Sequence, residues 1–374
     1  MHHFDKDFNL KKELIHVNHA AVAPWPVCTQ NAVKAFAEEN TTQGSLNYLQ
    51  WIEQEASLKV LLKQLINADS VDEIALLKST SEALSVVAYG IDWQAGDTVI
   101  TSAEEFPSNR LLWLSLEQFG VNVKLISYQS HEDAEQKIID ACDDTTRLIS
   151  ISAVQYASGR KMNLKRIGTH CEQKNILFCV DAIQQLGALE FDVNEIKADF
   201  VAADGHKWML GPEGLALFYC RSKHIEMLKL NQYGWHMIEH MHDFNSTDTT
   251  PAKSARRFEC GSPNTMGIVA LRQSINLLLS TGMDQVEKAV LKNTRFLLEA
   301  FSNNDKLEIL SSTDVDKLSA IVVVRHKEKN NDELFEYLKN NHVLCAPRGG
   351  GIRFSPHYYT PEETLQKLVN LLKF

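Results

Sequence analysis

The sequence predicts an α/β protein: a large domain with a mainly parallel sheet, followed by a smaller C-terminal α/β domain. Three observations carry this. From residue 74 onward, short apolar runs alternate with segments of helical spacing, as strands joined by crossover helices do. The runs are almost continuously apolar, which marks strands covered on both faces. And 374 residues are more than one hydrophobic core usually holds.

Taken in order, residues 1–15 form a short polar lead-in without a signal-like apolar stretch. Helical spacing runs over 27–39 and 51–66, where Trp51, Leu58, Leu62 and Leu65 share a face. Asn40 to Gly44 between them reads as a loop. Strand candidates then follow at Ile74–Leu77, Thr98–Thr101, Val123–Ser127, Arg147–Val154, Ile176–Val180, Phe200–Ala203 and Leu215–Tyr219. Ser79-Thr80-Ser81-Glu82 opens one helix, and another covers Leu111 to Phe119. A helix ends near residue 281, a long amphipathic one spans 283–303, and strands and helices alternate to the end. The pattern divides the chain into a large domain over 16–281 and a small domain over 282–374, onto which residues 1–15 pack back.

A charged fraction of 23% is ordinary for a globular chain. The formal charge of −10 without a long basic run argues against a nucleic-acid partner. No apolar stretch reaches membrane-spanning length, so a soluble cytoplasmic protein is expected. The seven cysteines are scattered, with no C-x-x-C pair. They read as free thiols, and His2-His3 and the other histidines show no metal-ligand spacing.

The unusual polar residues fall at strand ends, where ligands collect in open parallel sheets. Lys207 follows the run Phe200–Ala203 and is flanked by Trp208, Met209 and Leu210. Partial desolvation there lowers its pKa and supplies a neutral amine able to attack an aldehyde. Asp181 ends another apolar run. It can pair with a protonated ring nitrogen or cap the following helix. Ser79-Thr80-Ser81 at a helix start offers hydroxyls and free N–H groups to an anion, or an ordinary N-cap. Phe106 beside Pro107 can stack on a flat ring or staple the next helix. Gln155, Tyr156 and Gln184 can reach polar atoms of such a ring. Arg348-Gly349-Gly350-Gly351-Ile352-Arg353 sets two arginines around a bend, and an arginine fork suits a carboxylate.

Together these stretches resemble the class V aminotransferase family of fold type I pyridoxal-phosphate enzymes. That group includes cysteine desulfurases, selenocysteine lyases, kynureninases and isopenicillin N epimerase. The resemblance runs from NHAA at 18–21 to RFSPHYYT at 353–360 and is most specific in VDAIQQLG at 180–187, DGHKWMLGPEG at 204–214 and RFECGSPN at 257–264. It implies that Lys207 forms the Schiff base with pyridoxal 5'-phosphate and that Asp181 partners the pyridinium nitrogen. It implies phosphate contacts from His206, Thr80 and Ser81, and from Ser262 of a second subunit in a homodimer with shared active sites. EEFPSN at 104–109 resembles the kynureninase and epimerase branches, where a phenylalanine stacks on the ring; desulfurases usually carry histidine. Asp204 departs from the serine common at its position. Arg353 matches the arginine that binds the substrate carboxylate, with His19, Trp235 and His236 on the substrate side.

The expected function is a pyridoxal-phosphate enzyme acting on an α-amino acid or a close amine. Aminotransfer, β-elimination of sulfur and epimerisation share these residues. A non-catalytic scaffold would not need Arg353, and a nucleotide-binding enzyme would need a glycine-lysine loop that is absent. Cys345, the cysteine nearest Arg353, lies in the apolar run His342–Pro347 and reads as a packed, structural thiol.

Overall fold

The computed structural model describes residues 6–245 and 247–373. His2 and His3, in the polar lead-in, lie outside the described residues. The chain begins with a short strand β1 (Ile15–His16) and the helices α1 (Val27–Gln43) and α2 (Tyr48–Leu65). α1 runs through the stretch expected as a loop. Thr41 and Thr42 return their hydroxyls to the carbonyls of Ala37 and Glu38, so these polar residues are satisfied inside the helix. Gly44, at φ 60°, ends it.

The repeating unit follows: β2 (Ile74–Leu77), α3 (Thr80–Gly90), β3 (Thr98–Ser102), α4 (Ser108–Leu114), β4 (Asn122–Ile126), α5 (Ala134–Asp140), β5 (Thr146–Ser152), α6 (Leu164–Lys174), β6 (Leu177–Asp181), β7 (Phe200–Asp204) and β8 (Ala216–Cys220). The helix expected over 111–119 starts earlier and tightens into a 3-10 turn from Ser115 to Phe119. These strands form one sheet in the order β2-β8-β7-β6-β5-β3-β4. β4, β3, β5, β6 and β7 run parallel, while β8 is antiparallel to both its neighbours. The last strand of the expected series is therefore reversed. Its link to β7, residues 205–215, is too short for a crossover helix and returns the chain directly.

Strand alternation splits the buried side chains between two cores. Ile149, Ile151, Phe178, Val180, Val201, Ala203 and Leu217 join one, with α2 residues Leu58, Leu62 and Leu65. Leu148, Leu177, Cys179, Phe200, Ala202 and Phe218 join the other, with Leu84 and Val87 of α3. Helices on both faces thus explain why the strands are apolar throughout.

The chain continues with α7 (Thr265–Thr281), α8 (Met283–Ser302), β9 (Leu307–Ile309), β10 (Val322–His326), α9 (Asn331–Asn340), β11 (Val343–Leu344), β12 (Ala346–Arg348), β13 (Gly351–Phe354) and α10 (Glu362–Leu371). A four-stranded antiparallel sheet, β12-β13-β10-β9, supports a third core. Ile15 and Val17 belong to this core, and β1 pairs in parallel with β11. No helix among the described residues is long and apolar enough to cross a membrane.

Candidate active site

Because β2, β5, β6 and β7 point the same way, their carboxyl ends meet at one edge of the sheet. A cavity of about 370 Å³ opens there and reaches to β12 and β13. Thr80, Ser81, Phe106, Tyr156, Asp181, Gln184, His206, Lys207 and Arg353 all line it.

Lys207 is buried, 9% exposed. Burial pulls its pKa down to about 8; Asp181 and Asp204 attract the ammonium and Arg353 repels it. Its Nζ lies 5.7 Å from the centre of the Phe106 ring. The turn that presents it is pinned from several sides. Leu210 N–H donates to the Lys207 carbonyl (3.0 Å), and Leu210, fully buried, is held at φ 62°. A bulky residue in that left-handed region is strained and persists only where its surroundings fix it. Ser274 supplies one such restraint by donating to the Leu210 carbonyl (2.8 Å). The next carbonyl after the lysine, that of Trp208, approaches Gly187 so closely that a Cβ there would sit 2.3 Å from it. Gly187, at φ 95°, is the final residue of VDAIQQLG, and this contact accounts for it. His357 Nε2 reaches the same carbonyl at 3.0 Å. Since Nδ1 of His357 accepts from Tyr358 N–H, the proton is on Nε2 and the imidazole is the donor.

Asp181 ends β6 with its carboxylate buried. Oδ1 accepts from Ile183 N–H (3.0 Å), so the residue caps the following turn and still faces the cavity. Burial raises its pKa, with Glu105 and Asp204 adding to the effect and Lys207 opposing it. An acid in that state readily pairs with a cationic ring nitrogen. Gln184 is engaged at both ends of its amide. Oε1 accepts from Trp208 Nε1 (2.9 Å), and Nε2 donates to the Ala20 carbonyl (3.0 Å).

α3 points its N-terminus at the cavity. Ser79 caps it by accepting from Glu82 N–H, Ser81 Oγ donates to Ser108 Oγ (2.8 Å), and Thr80 Oγ1 accepts from Asp204 N–H (2.9 Å). This is an anion site by its free N–H groups and dipole. Asp204 stands beside it, its Oδ1 2.8 Å from His206 Nδ1. Phe106 and Tyr156 meet edge to face, ring centres 5.1 Å apart. Gln155 turns away from the cavity and donates to Glu105 (2.9 Å). Buried Glu105 also accepts from Ser152 N–H, Ser152 Oγ and Asn109, which ties the Phe106 loop to β5. Arg353 is 3% exposed; its Nη1 donates to the Tyr156 carbonyl (2.6 Å), while Nε has no partner among the described residues. Burial lowers its pKa to about 10, and neighbouring Arg348 adds to this.

Four expected site residues lie elsewhere. His19 is fully buried and does not line the cavity. Its Nδ1 donates to the Ser355 carbonyl (2.9 Å) and its Nε2 accepts from Tyr359 Oη (2.6 Å), so it joins the N-terminal segment to the end of β13. Trp235 and His236 line a separate groove with Glu55, and Ser262 lines another shared with His236. Trp235 Nε1 donates to Ser262 Oγ (3.4 Å). Glu55, His236 and Glu259 offer ligand atoms within 4.8 Å of one another. Lys59, however, places its Nζ 2.9 Å from both carboxylates, where a metal cation would otherwise sit. Sequence patterns did not single out Glu105 or Ser108, whose roles depend on partners distant in the chain.

A desolvated lysine, an anion cradle, a buried acid and a deeply set arginine around one cavity fit pyridoxal phosphate group by group. The orphaned Nε of Arg353 leaves one donor for a carboxylate. The fold and this site define a pyridoxal-phosphate-dependent enzyme. The chain belongs to the aminotransferase class-V family, whose profile matches residues 18–368. A probable cysteine desulfurase of Methanothermobacter thermautotrophicus is 30% identical to it, covering 98% of this chain and 96% of the relative. An uncharacterized aminotransferase of Bacillus subtilis, YcbU, is 26% identical over 87% of this chain and 84% of its own. Among solved structures, a cystine C-S lyase in complex with cysteine persulfide superposes with a TM-score of 0.91 at 20% identity, covering 97% of this chain and 98% of the lyase. A cysteine desulfurase from Thermococcus onnurineus superposes with a TM-score of 0.87 at 22% identity, covering 98% and 96%. The protein is thus a class V, cysteine desulfurase-like pyridoxal-phosphate enzyme.

Proposed function

We propose that the protein transforms an α-amino acid or a close amine, with Lys207 as the residue that holds the cofactor and then moves the proton. The observation that carries this is Lys207 itself: buried, short of an ion pair, and in one cavity with Asp181 and Arg353. Pyridoxal phosphate, when bound, supplies an aldehyde for amine exchange and a ring that accepts electron density from the substrate α-carbon. Lys207 Nζ is the group positioned to take the α-proton and return it. Asp181 keeps the ring nitrogen protonated. The N-terminus of α3, with Thr80, Ser81 and His206, holds the phosphate, and Phe106 covers one face of the ring. Arg353 holds the substrate carboxylate through the donors that the Tyr156 carbonyl leaves free.

Ser262 belongs, on this reading, to the site of a second subunit, with Trp235 and His236 beside it, and the working unit is a cytoplasmic homodimer. Borohydride reduction of the holoprotein followed by peptide mapping tests the assignment. The label is expected on the peptide carrying Lys207, and a label on any other lysine overturns it. The same holoprotein is expected to sediment as a dimer.

A further inference from the structure

The cavity holds one cation more than this chemistry uses. Lys207, His206 and Arg353 have roles, whereas Arg348, which lines the same cavity, has none. It is exposed, and among the described residues its guanidinium makes no ion pair; Nη1 donates to the carbonyl of adjacent Pro347 (2.8 Å). Of the acids that line the cavity, Asp181, Asp204 and Glu213, none forms an ion pair with it among the described residues.

The hairpin fixes where Arg348 stands. In β12 and β13, Ala346 pairs with Arg353 and Arg348 pairs with Gly351. Paired residues share a face, as do residues two apart along a strand. Arg348 and Arg353 therefore rise from one face of the hairpin as diagonal neighbours, roughly 7–8 Å apart at their bases. Gly349 and Gly350, at φ 63° and 79°, close the two-residue turn that holds this register. A Cβ on Gly349 would lie 2.5 Å from the Ala157 carbonyl, so the tip is seated against the chain just after Tyr156. Two guanidinium groups lining one cavity, neither in an ion pair among the described residues, can receive two anionic groups rather than one.

We propose that Arg348 binds a second acidic group, and that the preferred substrate is an α-amino acid bearing a carboxylate at the far end of its side chain. This rests on the reading of Arg353 as the α-carboxylate ligand. The buried arginine grips the end that must be oriented for proton transfer. The exposed one reads the other end, where chain length can vary.

The test is to titrate the holoenzyme with matched acids and amides, following cofactor absorbance: aspartate against asparagine, glutamate against glutamine, 2-aminoadipate against its amide. At the fitting length the acid is expected to bind roughly 10–100-fold tighter than its amide, the range for a charge-assisted bond. Arg348→Gln is expected to erase that preference while leaving the amide's Kd in place, and Arg348→Lys to keep part of it. Arg353→Gln is expected to weaken both members of every pair. Equal binding of acid and amide at all lengths, or a preference that survives in Arg348→Gln, overturns the inference and leaves the amino-acid reading intact. If none of these amino acids perturbs the absorbance, the amino-acid reading itself fails and the inference goes with it.

Discussion

Two lysines of this protein, Lys207 buried and Lys59 half-buried, each lie near a buried acid, and only one of them is set up to react. Lys59, on α2, is 2.9 Å from Glu55 one turn away and 2.9 Å from Glu259. Burial alone would pull its pKa down, but the two carboxylates more than offset this and the net shift is upward. Glu259 accepts a further bond from Leu76 N–H (2.7 Å), so this lysine fastens α2 to β2. Lys207 is the more deeply buried of the two and lacks the embrace. Asp181 attracts it from a distance while bonding to Ile183 N–H instead, and the net shift is downward. Burial by itself does not make a lysine nucleophilic. Burial without a contact ion pair does, because the neutral amine is then the cheaper state.

The largest expected effect breaks the comparison on the activity side. Lys207→Ala should lower turnover by about 10³-fold or more, since it removes the group proposed to move the proton. It should not lower the unfolding midpoint below that of the parent apoprotein at neutral pH, since it removes a buried charge. Lys59→Met should do the opposite, retaining turnover while losing up to about 3–5 kcal/mol of stability, because it removes the cation shared by buried Glu259 and half-buried Glu55. Urea unfolding alongside steady-state kinetics checks both. A Lys59 variant that unfolds normally yet loses turnover would show that the two lysines are not separable in this way.

A subtler effect is on titration. In the apoprotein, the rate at which Lys207 reacts with a soluble aldehyde should rise with pH through a midpoint near 8. Asp181 raises the lysine's pKa and Arg353 lowers it. Asp181→Asn should therefore move the midpoint to lower pH, and Arg353→Gln to higher pH. The sign for stability follows from the same shift. The folded value lies below the ordinary 10.5, so the unfolded chain binds the extra proton between about 8 and 10.5. The cost of burying charged Lys207 is fully present below 8 and is relieved as pH rises through that window. A reactivity midpoint that ignores both substitutions would mean that desolvation alone governs Lys207.

The contrast also shows which features were legible in the sequence. Asp181 follows an apolar run directly, His206 and Lys207 come just after Asp204-Gly205 at the end of another, and Thr80-Ser81 opens a helix. Strand ends and helix starts are local events, and they place these groups at one edge of the sheet. His19, Trp235 and His236 do not line this cavity, and their partners are far away in sequence. His19 answers to Ser355 and Tyr359, and His236 lies between Glu55 and Glu259. Nothing in a stretch such as NHAA says which of its polar atoms is already used. The direction of β8 was hidden for another reason: an apolar run reads alike in either sense. The short 205–215 connection was the signal that could have revealed it.

The smallest expected effect concerns Cys345 and separates this chain from the cysteine desulfurases it resembles. A persulfide carrier needs a thiolate that is exposed, acidic and mobile. Cys345 is buried with Ile15, Val17 and Val343, its pKa is pushed up to about 12 by that burial, and it does not line the cavity. The alternation of buried Val343, exposed Leu344 and buried Cys345 places the thiol on the packed side of the chain. Nor is there slack to bring it round. Ala346–Arg348 are committed to β12, Gly349 and Gly350 to the turn, and Gly351 onward to β13, with Ala346 already paired to Arg353. Moving the sulfur into the cavity would require unpairing the hairpin that holds Arg353, the group proposed to bind the substrate carboxylate. Cys345→Ser should therefore leave turnover of the main substrate unchanged within error, at a cost of about 1–3 kcal/mol in stability for the buried hydroxyl. Any sulfide release from cysteine should be slow and equally unaffected. If the serine variant keeps its cofactor spectrum but loses cysteine-dependent sulfur transfer, the hairpin opens during turnover and Cys345 is a carrier after all.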